Sequence, residues 1–226
     1  MPLAAPVLPP PLLEGDSLTS DEFMYRWEAM PDVKHAELID GIVYMPSPVG
    51  FDHGKFESLL NILLGFYATG TPGCFPSLEA TWLMTGRDVP QPDMTLRILP
   101  EYGGQSAVEG AYHSGAPELI VEVAVSSYSR DFGAKKRLYE RVGVREYIIA
   151  VPRKQKLVGV ALTASGYQPL EADADGIFRS AYFPGLWLDT VALWDTDLPR
   201  IHSAVQRGLA TPEHAEFAAR LAARKR

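Results

Sequence analysis

Cysteine is all but missing from this chain: Cys74 stands alone, in "TPGCFPS". One thiol excludes an intrachain disulfide and any paired-cysteine metal knuckle, so Cys74 reads as a plain structural thiol. Such a composition suits a reducing compartment. Long apolar runs are also lacking. No segment approaches the roughly 20 residues that a membrane-spanning helix needs. Positive charge is scarce: 21 Lys and Arg face 28 Asp and Glu, a net charge of −7. A protein that coats nucleic acid through its overall charge is thereby excluded, and any nucleic-acid contact needs a local basic patch or a bound divalent cation. Neither a Gly-rich phosphate loop of Walker type nor a nucleophile elbow occurs, which argues against a nucleotide or small-molecule hydrolase of those kinds. The opening "MPLAAPVLPPPLLEGD" has no basic n-region, and its prolines break what apolar run there is. Residues 1–16 are expected to be a flexible proline-rich arm rather than a signal peptide, and the protein to be cytoplasmic.

What is present alternates between helical and strand-like patterning. In "LTSDEFMYRWEAM", Thr19 or Ser20 can cap a helix whose apolar stripe is Phe23, Trp27 and Met30. "AELIDGIVYMPSP" reads as two short strands around an Asp-Gly turn. "DHGKFESLLNILLGFYATG" is an amphipathic helix, with Asp52 as its cap and Gly70 as its stop. "GCFPSLEATWLM" and "PDMTLRIL" read as strands, and residues 100–116 as a polar, Gly-rich loop. "PELIVEVAV" is a buried strand, "DFGAKKRLYERVGV" a helix ending near Gly143, and "REYIIAVP" the next strand. The strand–helix–strand unit predicts a right-handed crossover between parallel strands. "KQKLVGVALTASGYQPL" follows as a hairpin, and "TPEHAEFAARLAARKR" as a helix capped by Thr211. The order predicts an α+β fold, a mixed β-sheet flanked by helices. The division expected is an arm over residues 1–16, one domain over 17–198 and a helical tail over 199–226.

Three acids stand out by context. Glu122 sits inside the apolar run "LIVEVAV", where an uncompensated charge is costly. Asp93 follows Pro92 at a strand start, and Glu37 opens the hairpin in "ELIDG". Lys135 lies on the helix after Glu122. Mg²⁺ prefers oxygen ligands, usually one or two carboxylates with waters. Asp93 and Glu122 could share such an ion, with the carbonyl of Val123 or Ala124 adding an oxygen, and a lysine beside them fits metal-assisted phosphodiester hydrolysis. The plain alternatives stand beside this: a Pro-Asp pair that only starts a strand, a strand acid paired with a neighbour, and a solvated "KKR" face.

The segments "ELIDGIVYMPSP", "HGKFESLLNILL", "QPDMTL", "PELIVEVAVSSYSRDFGAKKRLYERVGVREYIIAV" and "FPGLWLD", in this order over roughly residues 18–195, resemble the Uma family of "putative restriction endonucleases" within the PD-(D/E)xK nuclease superfamily. The resemblance implies a restriction-endonuclease-like core and a Mg²⁺- or Mn²⁺-dependent nuclease acting on DNA. Asp93 matches the first acid of the motif and Glu122 the second, both as metal ligands. The motif's usual lysine position, two residues on, is Ala124. The basic residue is then taken from the next helix. Lys135 is preferred over Lys136 because it shares a face with Tyr139 at i,i+4. Glu37 matches the family's early acid, and His53 the "HG" that opens the second helix. Val125 stands where relatives often carry a polar residue, which leaves open a non-catalytic module of the same fold that binds protein or nucleic acid. Arg137, Arg141 and Arg145 form either a phosphate stripe or a solvated helix face. A homodimer is expected, because cutting both strands of a duplex suits a two-fold assembly. The arm and the C-terminal stripe of Phe217 and Leu221 are its candidate exchange elements.

Overall fold

A computed structural model describes residues 8–225 of the chain. The first layer begins with α1 (Ser20–Glu28), whose N-cap Thr19 accepts a hydrogen bond from the Glu22 amide. The hairpin β1 (Glu37–Ile39) and β2 (Ile42–Tyr44) follows, turning at Asp40 and Gly41, which both have positive φ (52° and 78°). That is the conformation Asp-Gly favours in a two-residue turn. Phe23 and Trp27 of the helix stripe bury against Leu38 and Val43 of the hairpin and Val89. The proline-rich segment belongs to this layer from residue 12 onward, against the expectation of a flexible arm. Leu12 is buried in the same cluster, and the Gly15 and Leu18 amides donate to the carbonyls of Val43 and Gly41. Residues 1–7 of the expected arm lie outside the described residues.

The main body is a six-stranded sheet against which α2 (Phe51–Gly70) packs. In chain order come β3 (Cys74–Leu78), β4 (Trp82–Leu83), β5 (Met94–Ile98), β6 (Ala107–Glu109), β7 (Tyr112–Ser114) and β8 (Leu119–Val123). A helical stretch over residues 128–142 follows: α3 (Tyr128–Arg130), a wide π turn (Asp131–Lys135) and α4 (Lys136–Val142). Then come β9 (Glu146–Val151), β10 (Lys156–Thr163), β11 (Gly166–Leu170), β12 (Ile177–Arg179) and β13 (Trp187–Asp189). The large sheet has the order β11-β10-β9-β8-β5-β3. β8 and β9 are parallel, as the crossover predicts; the other pairings in it are antiparallel. Gly143 (φ 87°) ends α4 in the left-handed conformation that glycine accepts without strain.

Three local expectations are corrected. α2 is capped by Gly50, two residues before Asp52, which sits inside the first turn. The 100–116 loop contains the β6–β7 hairpin, and β4 joins it as a small three-stranded sheet. The C-terminal region is no separate tail. α5 (Thr190–Asp195), α6 (Leu198–Leu209) and α7 (Pro212–Arg224) close the main core. Ile201, Val205, Phe217 and Leu221 bury in one cluster with Leu60, Leu64 and Tyr67 of α2 and Leu96 and Val121 of the sheet. Phe217 and Leu221 are thus consumed inside this chain and present no stripe for exchange with a second copy. No helix among the described residues is long and apolar enough to cross a membrane.

Candidate functional site

At the carboxyl end of β8 the large sheet meets the N-terminal layer, and a cleft of about 630 Å³ opens between them. Its floor holds the residues singled out by sequence. The register that sets Met94 opposite Val121 brings Asp93, just before β5, across from Glu122 in β8. The Asp93 amide lies 3.5 Å from Glu122 Oε2. Glu37 comes from the hairpin layer, held by the Gln91 amide on its Oε1 at 2.9 Å. Lys135 projects from the π turn, where an extra residue per turn widens the helix and re-aims what it carries; such turns recur at functional sites. Its Nζ donates to Glu122 Oε1 at 2.8 Å and lies 2.8 Å from Glu37 Oε1. Tyr139, one turn further on, donates its hydroxyl to Glu122 Oε1 at 3.0 Å.

All the preferred site residues therefore converge, and they differ in access. Glu122 and Lys135 are both 2% exposed, whereas the Asp93 side chain is 18% exposed and faces the cleft. His53, in the first turn of α2, places Nε2 3.1 Å from Asp93 Oδ2, and the Val123 amide donates to the same oxygen at 2.6 Å. Lys136 turns away: among the described residues it forms no ion pair, and it does not line the cleft. Arg141 also belongs elsewhere. It bridges Asp40 and Asp88 at 3.0 Å each, tying the hairpin turn to α4. Arg145 contacts Gln105 and the ring of Tyr182. Arg137 is exposed as well, and none of the three arginines lines the cleft, which favours the solvated-face reading over the phosphate stripe.

The electrostatics follow from burial and pairing. Burial pushes the Glu122 carboxyl well above its ordinary range, against the pull of Lys135. Burial also works against the Lys135 cation, but Glu122, Glu37, Asp131 and Asp93 outweigh it and hold the amine charged, above its ordinary value. For Asp93, burial raises the pKa while the His53 hydrogen bond, Lys135 and the Val123 amide lower it, and the net direction is down. The Asp93 hydrogen bond raises His53. Glu57, one helical turn beyond His53, rises from an ordinary 4.5 to about 7 because it is desolvated and stands near Asp93.

Sequence reasoning missed several members of this cleft. Arg130 lines it, with Nε 3.6 Å from Glu37 Oε2 and its guanidinium over the Tyr44 ring at 5.1 Å. Gln91 fixes Glu37, and Glu79 stands on the wall with positive φ (46°). Asp131 is fully buried beside Lys135. The signal for Arg130 and Asp131 was their place just upstream of Lys135 in one helix; Glu57 is i+4 from His53.

The donor set fits one kind of cation. Among the described residues no group of three or more His, Cys, Asp or Glu side chains is disposed to hold a metal, so an ion in the cleft would rest on two protein carboxylates and not on a closed cage of side chains. Glu122 Oε1 is occupied by Lys135 and Tyr139, and Asp93 Oδ2 by His53 and Val123. One oxygen of each acid is left: Asp93 Oδ1 makes no hydrogen bond among the described residues, and Oε2 of Glu122 makes only the 3.5 Å contact. Two carboxylate oxygens with waters match Mg²⁺ or Mn²⁺. The Val123 carbonyl already accepts from the Val125 amide.

The fold is shared with a crystal structure, at 1.96 Å resolution, described as a "putative nuclease belonging to DUF820" from Anabaena variabilis ATCC 29413. The TM-score is 0.61 at 18% sequence identity, over 79% of this chain and 98% of that one. Among curated proteins no match is found. The sequence profile of Uma2, described as "Putative restriction endonuclease", matches residues 20–191. With the family pattern spanning most of the chain and the fold that of a nuclease-like structure, this protein belongs to the Uma2 family.

Proposed function

We propose that the protein is a divalent-metal-dependent endonuclease that hydrolyses DNA phosphodiester bonds. The observation that carries this reading is the meeting of Asp93, Glu122 and the buried Lys135 in one cleft, from segments far apart in sequence. Asp93 and Glu122 would hold Mg²⁺ or Mn²⁺, which supplies Lewis-acid stabilisation of phosphoryl charge. The residues of the chain do the rest. Lys135, fixed by Glu122 and Glu37, stays protonated, so it orients and stabilises negative charge rather than abstracting a proton. Tyr139 fixes the Glu122 rotamer, and His53 fixes that of Asp93. The bases that line the cleft, Lys34, Arg130 and Lys135, are outnumbered by Asp32, Glu37, Glu79, Asp93 and Glu122, so the bound divalent cation has to offset these acids for a phosphate strand to enter. A two-fold pair of chains would present two such clefts to the two strands of a duplex, and light scattering with and without DNA measures that assembly.

One observation favours a second reading, a non-catalytic module of the same fold: Glu122 is almost wholly buried and already paired. Two measurements separate the readings. In the first, Mg²⁺ or Mn²⁺ raises the melting temperature of the wild type, and the shift is lost in Glu122→Gln. In the second, nicking of supercoiled plasmid with Mn²⁺ falls at least about 100-fold in Asp93→Ala, the range expected for loss of one preorganised electrostatic group. Cleavage unchanged by Asp93→Ala would remove the assignment. Absence of both the metal shift and cleavage would leave the binding module.

A further inference from the structure

Arg97 of β5 is 7% exposed, yet its Nε and Nη1 atoms have no hydrogen-bond partner among the described residues, and it forms no ion pair with them. A guanidinium never loses its charge, and burying one unpaired is costly. The two acids that act on it, Glu101 and Glu118, form no ion pair with it: Glu118 is turned to the amides of Ile98 (2.8 Å) and Gln105 (3.0 Å), and Glu101 is exposed.

The surroundings share this excess of donors. Asp93, Thr95 and Arg97 alternate onto one face of β5, so Arg97 lies roughly 13 Å along the strand from Asp93. Antiparallel pairing sets Ser77 opposite Thr95 and Phe75 opposite Arg97. The small β4–β7 sheet covers this face. Trp82 stacks on His113 at 4.3 Å, and His113 reaches Ser77 at 3.4 Å. Trp82 Nε1, Thr95 Oγ1 and His113 Nδ1 are likewise buried without a partner. Burial and the Arg97 charge both push the His113 pKa down, so the ring is neutral and does not add a second charge. Three donor nitrogens, two of Arg97 and one of Trp82, thus lack acceptors among the described residues, and no carboxylate pairs with Arg97. Phe75, on the edge strand beside Arg97, is exposed and marks where the layer opens to solvent.

We propose that Arg97 anchors an oxyanion-binding site between the large sheet and the β4–β7 sheet, separate from the metal cleft, which takes a phosphate group. That phosphate is either free in solution or carried by a nucleic-acid strand that also reaches the cleft. Planar, always-charged Arg with nearby N–H donors suits phosphate oxygens and repels cations. The site does not depend on the chain being a nuclease.

Thermal unfolding of the full chain in sodium phosphate, at ionic strength held constant with sodium chloride, tests it. With phosphate at about ten times its dissociation constant, the wild-type midpoint rises by roughly 3 °C. Arg97→Met shows no phosphate-dependent rise, and Arg97→Lys, which keeps the charge but loses the fork, binds phosphate at least about fivefold more weakly. Arg97→Lys serves alone if Arg97→Met does not fold. A wild type indifferent to phosphate, or variants that respond as the wild type does, overturns the site. The two sources are told apart by adding a metal-free single-stranded oligonucleotide. Suppression of the phosphate shift assigns the site to a strand phosphate, and an undiminished shift assigns it to the free anion.

Discussion

Lys135 is the residue on which the cleft's electrostatics turn. Its amine neutralises two buried acids at once, Glu37 and Glu122, at 2.8 Å each. Removing one partner of a buried pair leaves the other uncompensated, so Lys135→Met is expected to cost about 3–5 kcal/mol at pH 8. The loss shrinks at pH 5, because Glu122, already raised by burial, then takes up a proton and sheds its charge. Urea unfolding at the two pH values measures both. Glu57 supplies a second pH effect. Its carboxyl is raised from 4.5 to about 7 in the folded state, so the folded protein binds that proton more tightly than the unfolded chain does. Stability from this group is therefore complete below pH 4.5 and is lost as pH rises through 7. Glu57→Gln should melt higher than the wild type at pH 8 and show little difference at pH 4.5. At this scale, sequence context was informative where a residue violated its surroundings. Glu122 in an apolar run and Asp93 after a proline both declared themselves. Arg130, Gln91 and Asp131 did not, because an arginine, a glutamine or an aspartate in a polar segment is ordinary until its partner is known. Arg141 pairs with Asp40 and Asp88 across separations of 101 and 53 residues, with no local signal at all.

Among the elements, α6 shows how closely backbones meet. A Cβ on Gly208 would stand 2.1 Å from the carbonyl oxygen of Gly185. Gly208→Ala must push α6 off the loop that precedes β13, at a cost of about 1–3 kcal/mol, and a lowered melting temperature with unchanged helix content by circular dichroism would report it. The elements legible beforehand were those with strong periodicity or punctuation: the Asp-Gly hairpin, α2, the parallel pair β8 and β9, and α7 behind its Thr-Pro start. The β6–β7 hairpin was hidden because its strands are three residues long, one exposed and the other half-buried, so they lack the apolar alternation that marks a strand. The π turn could not be read either. Its residues, Asp131–Lys135, carry an ordinary helical pattern with nothing in it that marks a wider turn.

For the whole molecule, the division at residue 198 expected from sequence does not hold, and the reason is burial. Ile201, Val205, Phe217 and Leu221 complete the cluster that α2 and the sheet begin. Four such side chains are worth roughly 1.5–3 kcal/mol each, a sum comparable to the entire stability of a typical domain. A chain ending at Asp197 should show no cooperative unfolding transition in denaturant. The order of layers has a consequence for how the protein is made. Glu37 and Asp93 leave the ribosome long before Lys135, and domains begin to organise during synthesis. Until the segment around Lys135 has emerged, the hairpin acid has no cation to join and the amine that would quiet Glu122 does not exist. The nascent polypeptide is thus assembled with the cleft incomplete, and the last of its buried charges arrives only after the strand that carries Glu122, when more than half of the chain has been translated.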